Sequence, residues 1–505
     1  MSEEQATAEH RSRPTGAVFR EFMTTGWRAA DHTPPERSVV AQYALQRRGV
    51  VSRDFAGERL VIPAGGLKVR SNDTDYDFRP HSAFAHLTGL GADREPDAVL
   101  VLEPLVGEDG HEAVLYMRPP AGRDSAELFA DSRMGEYWIG PRPSLSDVAA
   151  ELDIVTRDLA ELADAVAKDL PAAQLRVVRD ADRDVTMLID HLRSQVAGED
   201  QTAQQQTQDS AQEADLALAR HLSTLRLVKD VWEIEQMEQA AQATARAFDA
   251  VVAALPQAAD SPRGERLIEG VFGLHARQDG NGVGYDSICA AGEHATTLHW
   301  TRNTGELDAG ELLLLDAGVE TEGLYTADVT RTLPISGTFS PAQRKVYDAV
   351  LAAQEAGLAA CQPGNTFSDV HTAAIGVIAQ TLFDWEMLPA GVGVEETLDA
   401  ETGQFHRRWM VHGTSHHLGI DVHDCALALR EDYMEGELRE GMVITVEPGL
   451  YFKSDDELVP SELRGIGVRI EDDVLITADG HRNLSQMLPR TASDVEAWIA
   501  AAGKR

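Results

Sequence analysis

The chain has 505 residues, 43% of them apolar, which is enough for two or more domains with large hydrophobic cores. Its 83 acidic and 45 basic residues give a formal net charge of −38. This charge disfavours nucleic acid and anionic membranes as partners, because a negative surface repels phosphate groups. The three cysteines, Cys289, Cys361 and Cys425, are far apart and form neither a disulfide framework nor a CxxC metal site, so we expect small buried hydrophobic residues.

The first 38 residues are polar, include Pro34-Pro35, and predict an extended or loosely docked arm. Their opening segment has acidic residues and no apolar core, which does not fit a signal peptide. No apolar run approaches the roughly 18 residues of a membrane span. We therefore expect a cytoplasmic protein with no membrane or nucleic-acid partner.

Residues 39–227 alternate short apolar runs with helical periodicity, as in an α/β domain. Strands are predicted at 97–102 and 112–116, and leucines and valines three and four apart predict helix in 146–168. The stretch 197–214 is rich in Gln, Ala and acids and has no large apolar residue, which indicates a domain boundary or a solvated insertion.

A second domain is predicted from residue 228 to residue 505. A long helix should begin after Lys229-Asp230, because apolar residues then recur at helical spacing. Another should span 341–360, since Ser340-Pro341 is a good N-cap and first-turn pair. Helices alternate there with glycine-punctuated strands, so the whole chain is predicted to be α+β.

Two acids in this domain lie at or within apolar strands. Asp316 ends the run 311–315 and, alone, is best interpreted as a turn residue before glycine. Asp328 follows twelve residues later in a β-type stretch, with the obvious turn at 320–323. A hairpin of this length can place both carboxylates side by side, where they would repel unless protonated or bridged by a cation.

The segment 412–424 is dense in histidine and glycine. His412, His416 and His423 stand beside two acids, and the glycines favour a loop over a helix. A lone histidine is usually structural, but this group favours a functional site. Imidazole suits Zn, Mn, Fe or Co and also suits proton transfer near neutral pH.

Two further acids, Glu447 and Glu471, lie at the ends of β-branched runs. Strand alternation places Arg469 and Glu471 on one face, which by itself could be an exposed strand face. Four carboxylates and one histidine suit two divalent cations such as Mn²⁺ better than a structural zinc. Such a pair could activate a water molecule between the ions.

Five ordered segments resemble the signatures of the aminopeptidase P family, the Xaa-Pro aminopeptidases among the pita-bread metallopeptidases. They are LLLLDAG, DVTRT, HGTSHHLGIDVHD, TVEPGLY and GIGVRIEDD. The similarity covers most of 230–490 and extends to 71–82 and 84–90. It implies a three-layer α/β domain of the aminopeptidase P type over 39–227, followed by a pita-bread catalytic domain over 228–505.

The resemblance implies a role for each matching residue. Asp316 would bind one metal ion, His416 and Glu447 the other, and Asp328 and Glu471 would bridge the two. The metal would be Mn²⁺, or alternatively Co²⁺ or Zn²⁺.

Other roles follow from the same resemblance. Glu447 would also take and return the proton of the attacking water. His299 would line the substrate site, His412 and His423 would orient the substrate or the ligands, and Arg469 would steady the ligand shell.

The implied reaction releases the N-terminal residue from peptides with proline in the second position, where the bond is a tertiary amide. An Xaa-Pro dipeptidase, which needs a free carboxylate after proline, is the nearest alternative. A methionine aminopeptidase, a metal-free creatinase-type hydrolase and a non-catalytic pita-bread binding module fit less well. A homodimer or homotetramer is expected from the resemblance.

Overall fold

A computed structural model describes residues 16–28, 33–105, 110–170, 174–197 and 201–503. The helices are α1 (Ala17–Thr24), α2 (Val39–Asp54), α3 (Ser82–Thr88), α4 (Glu127–Ala130), α5 (Glu136–Ile139), α6 (Leu145–Leu152), α7 (Leu162–Ala167), α8 (Arg183–Ala197), α9 (Gln201–Leu225), α10 (Val231–Ala259), α11 (Gly264–Asp279), α12 (Pro341–Ala360), α13 (Phe367–Asp384), α14 (Val394–Leu398), α15 (Arg430–Tyr433) and α16 (Ala492–Ala502).

The strands are β1 (Glu58–Pro63), β2 (Val69–Ser71), β3 (Thr74–Asp75), β4 (Val99–Pro104), β5 (His111–Met117), β6 (Val155–Asp158), β7 (Gln174–Val177), β8 (Gly282–Val283), β9 (Ile288–Ala291), β10 (Leu312–Ala317), β11 (Val319–Glu320), β12 (Val329–Pro334), β13 (Val443–Val446), β14 (Gly449–Tyr451), β15 (Gly467–Arg469), β16 (Asp472–Thr477) and β17 (Gly480–Asn483). Two compact units emerge: residues 1–68, 87–89 and 95–208, and residues 69–86, 90–94 and 209–505. The predicted boundaries at residues 38 and 228 stay predictions.

The first unit is built on a mixed sheet in the order β6-β5-β4-β1-β7. The strands predicted at 97–102 and 112–116 are confirmed as β4 and β5, which pair antiparallel. Apolar side chains from the sheet, α7 and α8 form its core, including Val61, Val101 and Ile189.

The continuous helical pattern predicted for 146–168 is wrong in its middle. Helix α6 ends at Leu152, and its C-cap residue Asp153 has a left-handed φ of 52°. Strand β6 then pairs parallel with β5, matching Val155 to Val114. The β-branched pair Val155-Thr156 suits a sheet edge, and this tertiary pairing outweighs the helical spacing of the flanking residues.

Parts of the predicted arm and of the Gln-rich stretch lie outside the described residues, namely 1–15, 29–32 and 198–200. Within the arm, α1 has no buried residue, and Phe19 contacts Phe129 edge to face with ring centroids 5.6 Å apart. Most of the Gln-rich stretch lies in α9, where Gln205 and Gln206 are exposed.

The second unit confirms the two predicted helix starts. Asp230 and Glu233 form a capping box at the start of α10, and Ser340 and Gln343 form one at the start of α12. Both helices pack against short antiparallel sheets through a large apolar core. The cysteines are free and buried, as predicted.

The predicted hairpin is also confirmed. Strands β10 and β12 pair antiparallel, with Asp316 opposite Thr330. The chain turns between β11 and Leu324, whose φ is 73°. This register places Asp316 and Asp328 on neighbouring strand ends. The remaining acids, Glu447 and Glu471, directly flank strands β13 and β16 of a separate sheet, β13-β16-β17.

Candidate metal centre

The four acids stand at ends of buried strands. Asp316 lies in β10, Asp328 directly precedes β12, Glu447 follows β13, and Glu471 precedes β16. The loop that carries His416 is tied to β13, because Thr445 N donates to His416 O over 2.9 Å and His416 N donates to the Thr445 hydroxyl over 3.0 Å. Backbone pairing thus delivers side chains from distant segments to one place.

These side chains lie close enough to share cations. His416 Nε2 is 3.2 Å from Asp328 Oδ2 and 3.6 Å from Glu447 Oε1. One ligand atom each of Asp328, His416 and Glu471 lies within 4.8 Å of the others. The donor set of oxygens with one imidazole nitrogen fits hard to borderline divalent cations.

Every residue predicted for the site lines one cavity of about 620 Å³. They are Asp316, Asp328, His416, Glu447, Glu471, His299, His412, His423 and Arg469. The structure therefore brings the predicted residues together, while the role of each stays a prediction.

Tyr285 belongs to the site but was not predicted. Its hydroxyl lies 2.6 Å from Asp316 Oδ1 and also contacts Asp328 Oδ1, so it can donate to either carboxylate. Burial and the neighbouring acids hold the pKa of Tyr285 well above its ordinary value, which keeps the donor proton in place. A single tyrosine after glycine carries no spacing pattern, so the sequence offered no signal for it.

Arg469 occupies the position expected of a residue that steadies the ligands. Its buried guanidinium pairs with Asp316 and donates to the Thr330 hydroxyl and the Tyr451 hydroxyl, over 3.0 Å in both cases. The Thr330 hydroxyl in turn donates to Glu471 Oε2 over 2.6 Å. Thr330 and Tyr451, neither of them assigned a role from sequence, therefore link Arg469 to the rest of the site.

Burial and close packing shift the pKa values of the acids and of His416. Burial, followed by neighbouring acids, raises the pKa of Asp328 and lifts that of Glu471 well above its usual range. Burial also raises the pKa of Glu447 to about 7. Burial alone would lower the pKa of His416, but Asp328 and Glu447 raise it to about 9. Divalent cations offset the repulsion among these buried carboxylates, and they bind the carboxylates and the imidazole in their deprotonated forms.

The other histidines surround this cluster. His412 Nδ1 donates to Gly413 O over 2.7 Å, which leaves Nε2 to accept from the Tyr451 hydroxyl over 2.7 Å. Burial and Arg469 lower the pKa of His412 to about 3, so its ring is neutral. His423 meets the ring of His416 edge to face, with centroids 4.6 Å apart. His299 is exposed and lines the cavity.

Comparison with known proteins gives matches along nearly the whole chain. Residues 235–478 match the model of metallopeptidase family M24, and residues 43–178 match that of the aminopeptidase P N-terminal domain. The chain is 48% identical to Xaa-Pro aminopeptidase 1 of Streptomyces coelicolor, over 95% of this chain and 91% of that protein. It is 47% identical to Xaa-Pro aminopeptidase 2 of the same species, over 96% of both chains.

Solved structures agree with these matches. A low-pH form of aminopeptidase P from Escherichia coli superposes with a TM-score of 0.78 at 29% identity, covering 93% of this chain and all of that one. Aminopeptidase PepP of Pseudomonas aeruginosa gives a TM-score of 0.77 at 27% identity with the same coverage.

Proposed function

The chain belongs to the aminopeptidase P proteins of metallopeptidase family M24, and on that basis we propose that it holds two divalent cations in a dinuclear centre. It is an Xaa-Pro aminopeptidase, a metal-dependent hydrolase that acts on peptides with proline in the second position. The predicted α+β architecture, an aminopeptidase P-type N-terminal domain before a pita-bread catalytic domain, is confirmed.

The proposed ligands are Asp316, Asp328, His416, Glu447 and Glu471, with Asp328 and Glu471 as bridges. The observation that supports this set most directly is the approach of Asp328, His416 and Glu471 to within 4.8 Å of one another. We propose Mn²⁺ as the natural metal, with Co²⁺ or Zn²⁺ as alternatives. When bound, such cations lower the pKa of water and polarise a carbonyl group.

Glu447 is proposed to handle the proton of the reaction. Its carboxylate is largely buried and lines the cavity beside the other proposed ligands, and a carboxylate so placed can both accept and return a proton. The departing proline nitrogen has no hydrogen of its own and must receive one. His412 lies beside this carboxylate, with Nδ1 3.6 Å from Glu447 Oε2, but its Nδ1 proton is donated to Gly413 O.

The remaining residues of the cavity are proposed to bind and orient the peptide. His299 and His423 line the cavity and offer ring nitrogens to the substrate. Arg469 is proposed to hold Asp316 in place through their buried ion pair.

The lining of the cavity also supports the proposal that peptides longer than a dipeptide are preferred. Arg469 is the one arginine or lysine among the described residues that line it, and its guanidinium is already bound to Asp316, Thr330 and Tyr451. A carboxylate directly after proline, which a dipeptidase must recognise, would therefore find no free cationic side chain there.

Peptides are the substrates. Three further points stay predictions: a homodimer or homotetramer, a cytoplasmic location, and the absence of nucleic-acid and membrane partners. Among the described residues, no helix is long and apolar enough to cross a membrane.

The test begins with chelator-stripped enzyme, to which Mn²⁺, Co²⁺ or Zn²⁺ is added separately. We expect turnover of an Xaa-Pro-Yaa tripeptide to return with about two ions per chain, with Mn²⁺ the most effective. An Xaa-Ala-Yaa peptide is the substrate control. Full activity with one ion per chain would contradict the dinuclear proposal, and turnover of Xaa-Pro without turnover of Xaa-Pro-Yaa would contradict the aminopeptidase preference.

A further inference from the structure

Glu265 is a fully buried carboxylate outside the ligand set. It lies in the first turn of α11, its side chain is 0% exposed, and it does not belong to the described residues that line the catalytic cavity. A buried carboxylate is costly unless hydrogen bonds compensate it. Its partners therefore indicate what it stabilises.

Within the described part of the chain, Glu265 accepts four hydrogen bonds, and all of them come from the segment 291–305. Oε1 accepts from Ala291 N and from His294 Nδ1, both over 2.8 Å. Oε2 accepts from Trp300 Nε1 over 2.9 Å and from Gly305 N over 2.5 Å. One carboxylate thus binds both ends and the middle of a single loop, through bonds that its charge strengthens.

The loop depends on this contact for its course. At Gly305, a Cβ atom would lie 2.8 Å from the Glu265 carboxyl group, so the absence of a side chain allows the backbone to approach. Asn303 is also fully buried and bonds to Ser287 O over 2.9 Å and to Cys289 N over 3.0 Å. These contacts anchor the loop to the strand β9 region.

The same contacts determine where Trp300 lies. Its indole is bound to Glu265, stacks on His294 with centroids 3.9 Å apart, and is covered by Arg302 at 4.7 Å. Trp300 is absent from the described lining of the cavity, whereas its two neighbours, His299 and Thr301, line it. Fixing the indole on the Glu265 side therefore leaves His299 on the cavity side.

We propose that Glu265 is a positioning residue for His299: it holds the segment 291–305 so that the His299 ring projects into the substrate cavity. It does so without touching substrate or metal. The inference rests on the proposed role of His299 in binding peptide. The positioning role requires a carboxylate at residue 265, because four donor groups converge on its two oxygens. The amide of glutamine would instead turn its NH₂ group toward two of those four donors.

The test is a double-mutant cycle between Glu265→Gln and His299→Ala. We expect Glu265→Gln alone to lower kcat/KM for an Xaa-Pro-Yaa peptide about 10- to 100-fold, as for loss of a partner that orients an active-site group, with metal content unchanged. In the His299→Ala background, the same substitution should change kcat/KM less than about twofold, because the group it orients is gone.

Glu233→Gln is the matched control. Glu233 is a helix carboxylate of similar burial, 2% exposed, and it accepts from the Tyr325 hydroxyl over 2.8 Å and from Asp230 N over 2.9 Å. Its loss should affect stability and combine additively with His299→Ala. Trp300→Phe is a milder probe, since it keeps a ring for stacking and removes one donor; it should lower kcat/KM less than Glu265→Gln does, and again only when His299 is present.

Four outcomes would overturn the proposal. Additive effects of Glu265→Gln and His299→Ala, or a folded Glu265→Gln enzyme within twofold of wild type, overturn the positioning role. If Glu265→Gln does not fold, Trp300→Phe decides: equal losses with and without His299 overturn the proposal. Full turnover by His299→Ala itself refutes the role proposed for His299, and with it this inference, while the metal proposal is unaffected.

Discussion

Substitution of Arg331 tests whether a buried ion pair next to Glu471 stabilises the proposed metal centre. It is 0% exposed in β12 and forms an ion pair with Asp472, also 0% exposed, over 2.7 Å. It also donates to backbone oxygens, those of Glu471 at 2.6 Å, Pro489 at 2.8 Å, Thr330 at 2.9 Å and Leu488 at 3.2 Å. Arg331→Met should keep much of the volume while removing the charge and all of these bonds.

The expected loss follows from burial. Removing one partner of a buried ion pair costs about 3–5 kcal/mol, because the other charge stays behind without compensation. Asp472 would retain Gln354 Nε2 at 2.7 Å, the Ser485 hydroxyl at 2.6 Å and a second cation, Arg490 Nε at 3.4 Å, which argues for the lower end of that range. A loss of about 3 kcal/mol should lower Tm by roughly 4–5 °C, because a unit of about 320 residues has a large entropy of unfolding, at about 2.1 cal/mol/K per residue. Metal affinity should fall too, since Arg331 holds the backbone of Glu471.

Thermal unfolding of the metal-loaded and stripped enzyme measures both effects. The control is Arg344→Met: Arg344 is 35% exposed and pairs with Glu496 over 2.8 Å, and a surface pair of this kind contributes less than about 1 kcal/mol. If Arg331→Met lowers the free energy of unfolding by no more than Arg344→Met does, the buried pair does not support the centre as described.

Three further predictions concern the cavity itself. Asp328→Ala or Glu471→Ala should abolish peptide turnover and lower metal content, as measured by elemental analysis; near-normal turnover with two ions would refute the bridging roles. The pKa of His416, about 9 in the protein alone, lies above its ordinary value of 6.5, so it contributes stability that is present below pH 6.5 and lost as pH rises through 9. Stripped enzyme should therefore lose about 3 kcal/mol of unfolding free energy over that range, and metal-loaded enzyme, in which the imidazole is neutral, should not; equal pH dependence of the two would contradict this. Asp286 is exposed and lines the cavity, so Asp286→Asn should raise KM about two- to fivefold at low salt by weakening attraction to the peptide's ammonium group, and an effect that survives high salt would have another cause.

Local rules explain which elements could be predicted from the sequence. The capping boxes at Asp230 and Ser340 satisfy backbone donors within four residues. Because these interactions are local, the starts of α10 and α12 were predicted correctly. The hairpin of Asp316 and Asp328 was predictable for the same reason, because alternation and a short turn determine its register.

What escaped prediction depends on contacts between distant segments. Strand β6 forms because it pairs with the edge of β5, which lies about 40 residues earlier in the chain. Tyr285 joins the site only because the strand after it pairs with β10, which brings its hydroxyl to Asp316 and Asp328. Tyr451 stood within a recognised motif, yet its contacts with His412 and Arg469 were visible only in three dimensions.

The separation of the site's partners along the chain has a consequence for biosynthesis. Arg469 and Asp316 are 153 positions apart, and Thr330 and Glu471 are 141 apart. A nascent chain that has not yet emerged from the ribosome as far as Arg469 therefore lacks both the cation that pairs with Asp316 and the carboxylate that accepts from Thr330. Its early carboxylates keep the Tyr285 hydroxyl but lack Arg469 and Glu471, so a prematurely terminated chain should carry no assembled hydrolytic centre into the cell.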